Sequence, residues 1–327
     1  MQSLMKKYLT DEVYGELKNL KTKSGYTIDM AINSGLKNPD SSIGIYAGDV
    51  ESYELFKSIF DPIIQEYHGE YEAHKTALHV EGLKGGNIED DRIVSTRIRV
   101  GRNLTDFPLG TNVSKSQRLE VENKIKDALD NLTCQGKYYS LESMSENDRA
   151  KLIKDHFLFK EGDRFLEEAG LNRDWPSGRG IYHNEDKTFL VWVNEEDQLR
   201  IISMQQGGNI KEVFTRLVLY INELEKYLEF AYSNKLGFIT SCPTNLGTAM
   251  RASVHVKLPN LAKDMSKFEK ICNEYHLQIR GIHGEHSKSE EGIFDISNKR
   301  RLGVSEIECV QDMVNGVNIL LKEDGEY

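Results

Sequence analysis

In SYELFKSIFDPIIQEYH the apolar residues Leu55, Ile59, Ile63 and Ile64 recur near a helical period, with Asp61-Pro62 as an internal break or a new helix start. The preceding NPDSSIGIYAGD is dense in turn-forming residues, so residues 1–80 read as mostly helix and loop. The glycines of GLKGGNIED, residues 82–90, read as a linker and divide the chain into segments 1–84 and 85–327. Beyond the linker the period changes to two. RIVSTRIRVGRN puts Ser95, Arg97 and Arg99 on one face of a strand, with Val94, Ile98 and Val100 suited to burial. KTFLVWVNEEDQLRIISMQQGG predicts two strands joined by a short acidic turn. INELEKYLEFAYSN predicts a helix over 221–234, and LGFITSC a strand over 236–242. In MRASVHVKLP, Val254, Val256 and Leu258 alternate with Arg251, Ser253, His255 and Lys257, as in an antiparallel strand between a core and a polar cleft. A helix over KDMSKFEKICNEYH, a strand over LQIRG and a last amphipathic helix over VSEIECVQDMVNGVNILLKE follow. No internal repeat or low-complexity tract is present.

Composition narrows the class. The 327 residues are 39% apolar and 29% charged, as in an ordinary soluble globular protein long enough for two domains. The N-terminal MQSLMKKYLTDEVYGELKNL is charged throughout and lacks a signal-peptide core. No run approaches the roughly 18 apolar residues of a membrane span. Cys134, Cys242, Cys272 and Cys309 are scattered, which predicts reduced thiols in the cytoplasm and neither a disulfide framework nor a zinc site. A net charge of −10 argues against nucleic-acid or anionic-membrane partners, though a local basic pocket remains compatible with it.

Candidate chemistry lies on the strands. Arg97, Arg99, Arg200, Arg251 and Arg280 sit on or at the ends of predicted strands. One such arginine alone reads as a surface or salt-bridged residue, but several on a polar face are costly to pack unless an anion meets them. Arginine is the side chain suited to bidentate phosphate recognition. No G-x-x-x-x-G-K-[ST], no G-x-G-x-x-G opening a helix and no kinase H-R-D or D-F-G is present, so any nucleotide would have to be gripped by arginines. Glu195-Glu196-Asp197 lies in a turn between strands, and Glu285 in the loop RGIHGEHSKSEEG. Cys242 in TSCPTN reads most simply as a buried cysteine at a strand end.

STRIRVGRN, HFLFKEGDRFL, WPSGRGIYHNEDKTFLVWVNEEDQLRIISMQQGG, TSCPTNLGTAMRASVHVKLP and IFDISNKRRLG run in this order along the chain. With them the chain resembles the phosphagen (guanidino) kinases, most closely the arginine kinases. The resemblance implies an α+β fold: a small all-helical N-terminal guanidino-specificity domain, and a larger ATP-binding domain with an antiparallel sheet flanked by helices. It implies transfer of the γ-phosphoryl of ATP, with Mg²⁺, to the guanidino group of free L-arginine. Arg97, Arg99, Arg200, Arg251 and Arg280 match phosphate-gripping positions, and His156 and His255 match nucleotide-pocket positions. Glu196 and Glu285 match the two carboxylates that hold the guanidinium, and Cys242 the reactive thiol beside it. Ser41, Ser42, Ile43, Gly44 and Tyr46 match the guanidino-specificity loop. The Thr244 hydroxyl is expected to bond the Cys242 sulfur, and positive charge from substrate and arginines to favour thiolate. The metal takes no protein ligand in this scheme, because Mg²⁺ keeps waters and phosphate oxygens. Asp40 and Arg164 are candidates for a pair formed on closure.

Some positions depart from the family pattern. The N-terminus is shorter than usual, Gln198 stands where a histidine is common, and Ile282 and His283 replace residues usual beside the loop glutamate. These departures are expected to bear on nucleotide affinity or lid behaviour. The short specificity loop suits a long substrate such as arginine. The alternatives are taurocyamine, lombricine or glycocyamine as substrate, a protein-arginine kinase, and a non-enzymatic nucleotide-binding module. Either a monomer or a homodimer is expected.

Overall fold

The computed structural model describes residues 2–281 and 292–325. Five short helices come first: α1 (Leu4–Tyr8), α2 (Asp11–Leu17), α3 (Ile28–Lys37), α4 (Ser52–Leu55) and α5 (Lys57–His68). Each of α1 to α3 starts at a Ser or Thr whose hydroxyl accepts a backbone N–H two residues into the helix, namely Ser3, Thr10 and Thr27. The break expected at Asp61-Pro62 lies earlier, at Phe56 between α4 and α5, and α5 continues through Pro62. Its buried residues Ile59, Phe60, Ile63 and Ile64 hold it to the core of this region.

The strands are β1 (Ile93–Arg102), β2 (Gly136–Ser140), β3 (Gly180–Asn184), β4 (Phe189–Val193), β5 (Leu199–Gln206), β6 (Tyr232–Ser233), β7 (Gly237–Phe238), β8 (Met250–Lys257), β9 (Leu277–Gly281) and β10 (Ile293–Asn298). Eight form one antiparallel sheet in the order β2-β3-β4-β5-β1-β8-β10-β9, and β6 pairs only with β7. The larger region also holds α6 (Lys115–Leu129), α7 (Glu146–Lys154), α8 (Arg164–Glu168), α9 (Ile210–Leu224), α10 (Met265–Glu274) and α11 (Glu306–Asp324). The apolar face of the sheet, with Ile98, Val100, Val191, Ile201, Val254 and Val256, packs in one core with residues of α6, α9, α10 and α11. That burial leaves the opposite face of β1 and β8 to polar side chains, while on β3 to β5 the same face also buries Ile181, Leu190 and Ile202 in a second apolar cluster. Among the described residues no helix is long and apolar enough to cross a membrane, and all four cysteines are free and buried.

Three local expectations shift. Val94 is 41% exposed, because a register shift between Ile93 and Ser95 turns Ile93 into the core instead. The helix expected over 221–234 begins at Ile210 and ends at Leu224. Beyond it the backbone is drawn out against residues 103–105: Ala231 N donates to Asn103 O, Thr105 N to Glu229 O, and Leu104 bridges to Phe230. Of the strand expected over 236–242, only Gly237 and Phe238 pair in β7. The rest is held by single contacts, with the Ile239 amide donating to Ala231 O, Asn103 Nδ2 to Ile239 O and the Ser241 amide to Asp197 Oδ1.

The connection between the two regions lies along the larger one. Thr76 Oγ1 and the Ala77 amide donate to the buried carboxylate of Glu306, and the Lys84 amide donates to Gln311 Oε1. The helical region's core in turn takes in Leu109, Leu171, Ile239, Cys242, Leu246 and Leu302 from the larger region.

Candidate active site

Cross-strand partners in an antiparallel sheet point to the same side, so the register places the arginines. Arg99 lies opposite Arg251, Arg97 opposite Ser253, and Arg200 opposite Gly101 and Trp192. Arg280 lies opposite Asp295, which also lies opposite His255. All five predicted arginines therefore share the polar face of five adjacent strands. The guanidinium groups of Arg97 and Arg200 sit over the Trp192 ring, 5.6 and 5.4 Å from its centroid.

Their charges are crowded. Burial, then Arg200 and Arg251, pulls Arg97 down to about 10, and burial with Arg200 and Arg301 pulls Arg99 well below its ordinary range. Arg251 is relieved by Asp295 at 2.9 Å, and His255 Nε2 lies 3.8 Å from the same carboxylate. Burial works to raise Asp295, but His255 and Arg251 outweigh it and hold that acid at about 2. Among the described residues, a partly buried row of cations whose nearest carboxylates are Asp295 and the acidic turn is suited to an anion.

The acidic turn lies at the edge of this row. Arg200 Nη2 lies 3.1 Å from both Glu195 and Glu196. Burial, opposed by Arg200 and reinforced by Asp197, pushes the Glu196 carboxyl up to about 7. Asp197 is buried beneath it and accepts from Asn103 Nδ2 at 2.8 Å and the Ser241 amide at 3.0 Å. A side chain at Gly101 would bring a Cβ to 2.9 Å from Asp197 Oδ2, so that close approach needs glycine.

Cys242 caps the one-turn helix Pro243–Asn245, with its Sγ 3.1 Å from Thr244 Oγ1 as expected. Asn245 Nδ2 donates to Glu196 Oε1 at 3.3 Å, so the thiol turn and the acidic turn are joined. The expected thiolate is not what the protein's own groups favour. Burial first, then the Glu196 carboxylate, pushes the thiol up to about 12. The Thr244 hydrogen bonds work in the opposite direction, and Asp197 adds to the effect of Glu196.

The loop at 41–46 reaches the same place. The Gly44 amide donates to Ser41 Oγ, Leu4 and Met5 amides donate to the carbonyls of Ser42 and Ile43, and the Tyr46 amide to Ala31 O. Gly44 has φ +76, and a Cβ at the facing Gly35 would meet its carbonyl at 2.3 Å, so α3 and the loop pack backbone to backbone. Ser41, Ile43 and Tyr46 are buried while Ser42 is exposed. Burial, then Cys242, Glu196 and Asp163, holds the Tyr46 hydroxyl far above its ordinary range, which brings loop and turns into one electrostatic unit.

Asp40 and Arg164 are already paired, through two parallel contacts, one of 2.8 Å, with Arg164 Nη1 also donating to Asn38 Oδ1. His156 is exposed and follows α7, next to Phe157, whose carbonyl accepts from Trp192 Nε1 at 2.8 Å. Gln198 does not face the arginines as a nucleotide contact. It is fully buried, accepts from the Leu104 amide and donates to Pro108 O, bracing the loop after β1. Glu285, Ile282 and His283 lie outside the described residues.

Several site residues escape the reading by pattern. Arg301 is buried, and its Nη1 donates to Thr244 O and Asn245 Oδ1, holding the thiol turn from behind. Asn245, Asp295 and Trp192 complete the contacts above. Asn245 was within the TSCPTN turn, and three successive cations in NKRRLG were a signal that one was spoken for inside the protein.

Residues 1–65 match the family model described as ATP:guanido phosphotransferase, N-terminal domain, and residues 120–326 match the ATP:guanido phosphotransferase, C-terminal catalytic domain. An arginine kinase of Anthopleura japonica is 53% identical over 335 residues, covering 99% of this chain and 47% of that protein. The arginine kinase Lit v 2 of Penaeus vannamei is 49% identical over 332 residues, covering 99% of this chain and 93% of that one. Among solved structures, the substrate-free duplicated taurocyamine kinase from Schistosoma mansoni superposes with TM-score 0.92 at 45% identity, covering 98% of this chain and 47% of the other. A lombricine kinase superposes with TM-score 0.92 at 39% identity, covering 99% of this chain and 92% of the other. The chain thus spans about half the length of the Anthopleura and Schistosoma proteins and nearly all of the others.

Proposed function

Because the chain belongs to the ATP:guanido phosphotransferase family, we propose that it transfers the γ-phosphoryl of MgATP reversibly to the guanidino group of free L-arginine, giving phosphoarginine and ADP. One observation carries this: a face of five arginines ends at the acidic turn, where Asn245 joins Glu196 to the turn of Cys242. The first suits a polyphosphate and the second a guanidinium. In this reading residues 1–84 form the guanidino-specificity domain and residues 85–327 the catalytic domain of a cytoplasmic enzyme.

The arginines Arg97, Arg99, Arg200, Arg251 and Arg280 hold the phosphates in line and neutralise charge as it moves toward ADP. His255 and His156 border the nucleotide. Asp295, the carboxylate bonded to Arg251 on this face, is already engaged, so the residues fit a metal held through phosphate and water oxygens. When bound there, Mg²⁺ supplies further neutralisation of the transferring group.

The nucleophile is a guanidino nitrogen. Its pKa is above about 12, so deprotonating it beforehand at pH 7 would cost about 7–9 kcal/mol at about 1.36 kcal/mol per pH unit. Glu196 does not supply that in the ground state. It takes the proton as the N–P bond forms and the bond to ADP oxygen breaks, and Glu285 aligns and assists. A guanidinium set beside Cys242 would oppose the carboxylate's effect and draw the thiol toward thiolate, making it an electrostatic partner and not a covalent nucleophile. Ser41, Ser42, Ile43, Gly44 and Tyr46 contact the amino-acid end.

The test is ADP production in a coupled assay with free L-arginine, creatine, taurocyamine, lombricine, glycocyamine and an arginine-rich protein offered separately. Fast turnover on free L-arginine alone is expected. Preference for taurocyamine or lombricine would keep the mechanism and replace the substrate, and phosphate on the protein would overturn the role given to the first domain.

A further inference from the structure

Three hydrogen bonds from the helical region end on carbonyls that flank Cys242. Tyr53 Oη donates to Thr240 O at 2.7 Å, the Ala47 amide to Ser241 O at 2.8 Å, and His68 Nε2 lies 2.8 Å from Pro243 O. A carbonyl only accepts, so the His68 proton is on Nε2. His68 is the last residue of α5, whose inner face of Ile59, Phe60, Ile63 and Ile64 is buried, so the donor is carried on a packed element. From the other side Arg301 holds the same turn at Thr244 O and Asn245 Oδ1. Pro243 has no N–H of its own to pin it, and its carbonyl is the handle that His68 uses.

We propose that His68 is a positioning residue, whose hydrogen bond to Pro243 passes the seating of the helical region to the turn that orients Cys242 and, through Asn245, Glu196. The route is short: His68 to Pro243 O at 2.8 Å, Thr244 Oγ1 to Cys242 Sγ at 3.1 Å, and Asn245 Nδ2 to Glu196 Oε1 at 3.3 Å. It rests on the phosphotransferase reading above for what the turn serves, but not for the coupling itself. Positions within a reacting pair are sensitive: a displacement of about 1 Å can cost about 10²-fold in rate.

The experiment compares His68→Phe, which keeps the volume and loses the donor, with His68→Gln, whose amide nitrogen reaches the same place. Three quantities are read: kcat and both KM values, the melting temperature, and the iodoacetamide alkylation rate of Cys242 without substrates. His68→Phe is expected to lower kcat about tenfold, leave the ATP KM within about twofold and speed Cys242 alkylation several-fold, with His68→Gln restoring kcat and the alkylation rate. Wild-type kinetics and alkylation in His68→Phe would overturn the proposal. So would a loss in both variants that only tracks a lowered melting temperature. If His68→Phe does not fold, Tyr53→Phe removes one hydroxyl from the same seat, and its Cys242 must alkylate faster at an unchanged melting temperature for the proposal to stand. A wild-type protein inert toward every free guanidine and toward the arginine-rich protein would overturn the phosphotransferase reading, and the alkylation comparison would still decide the coupling.

Discussion

In the proposed reaction Glu196 takes the proton, and its surroundings set the pH at which it can do so. Burial raises its carboxyl to about 7 against the pull of Arg200, so in the free enzyme it loses its charge as the pH falls through that value. The neutral acid can neither hold a guanidinium nor accept its proton. kcat/KM for the guanidino substrate is therefore expected to fall tenfold per pH unit below about 7, since it reports the free enzyme. Glu196→Gln should lower kcat about 10²-fold and flatten that acid limb, as measured by pH–rate profiles of both proteins. Gln198 shows the opposite case. Its departure from the family pattern is expected to bear on nucleotide affinity or lid behaviour, and its side chain ties Leu104 and Pro108, which no local period reports.

At the scale of the element, the sheet carries two opposed demands. One face is a continuous apolar core, and the other gathers like charges that burial makes costly. Function is placed against stability there, and removing a cation should relieve the fold. Arg99→Met is expected to melt higher than wild type without ligand, to gain less from added ADP, and to lose at least about 10²-fold in kcat. Thermal scans with and without ADP test this; a variant less stable than wild type in the absence of ligand would count against it. Alternation made this face legible, because side chains on a strand switch sides at every residue. Val94 escaped it because a register shift breaks the alternation where β1 begins.

Across the whole molecule, two regions meet at the site. Asp40 and Arg164 latch them at the rim, and Tyr53, Ala47 and His68 seat one on the thiol turn of the other. The rim pair is exposed, so its direct worth to stability is small. Arg164→Ala should leave the melting temperature nearly unchanged while raising the guanidino-substrate KM several-fold and sparing that of ATP, by steady-state kinetics. A fall in stability with both KM values unchanged would instead make the pair a structural tie. What the sequence by itself determined was local: the helical start, the change to period two, the side on which the arginines stand, the acidic turn, and the family blocks. Each of these is encoded within a few consecutive residues, where backbone geometry alone decides which way a side chain points. Only the tertiary structure decided that Arg301 and Asn245 stand behind Glu196, that burial and then Glu196 raise the Cys242 thiol, and that the helix after Ile210 stops at Leu224. Those outcomes depend on segments far apart in the chain arriving together through the strand order β5-β1-β8, and no local pattern carries that arrangement.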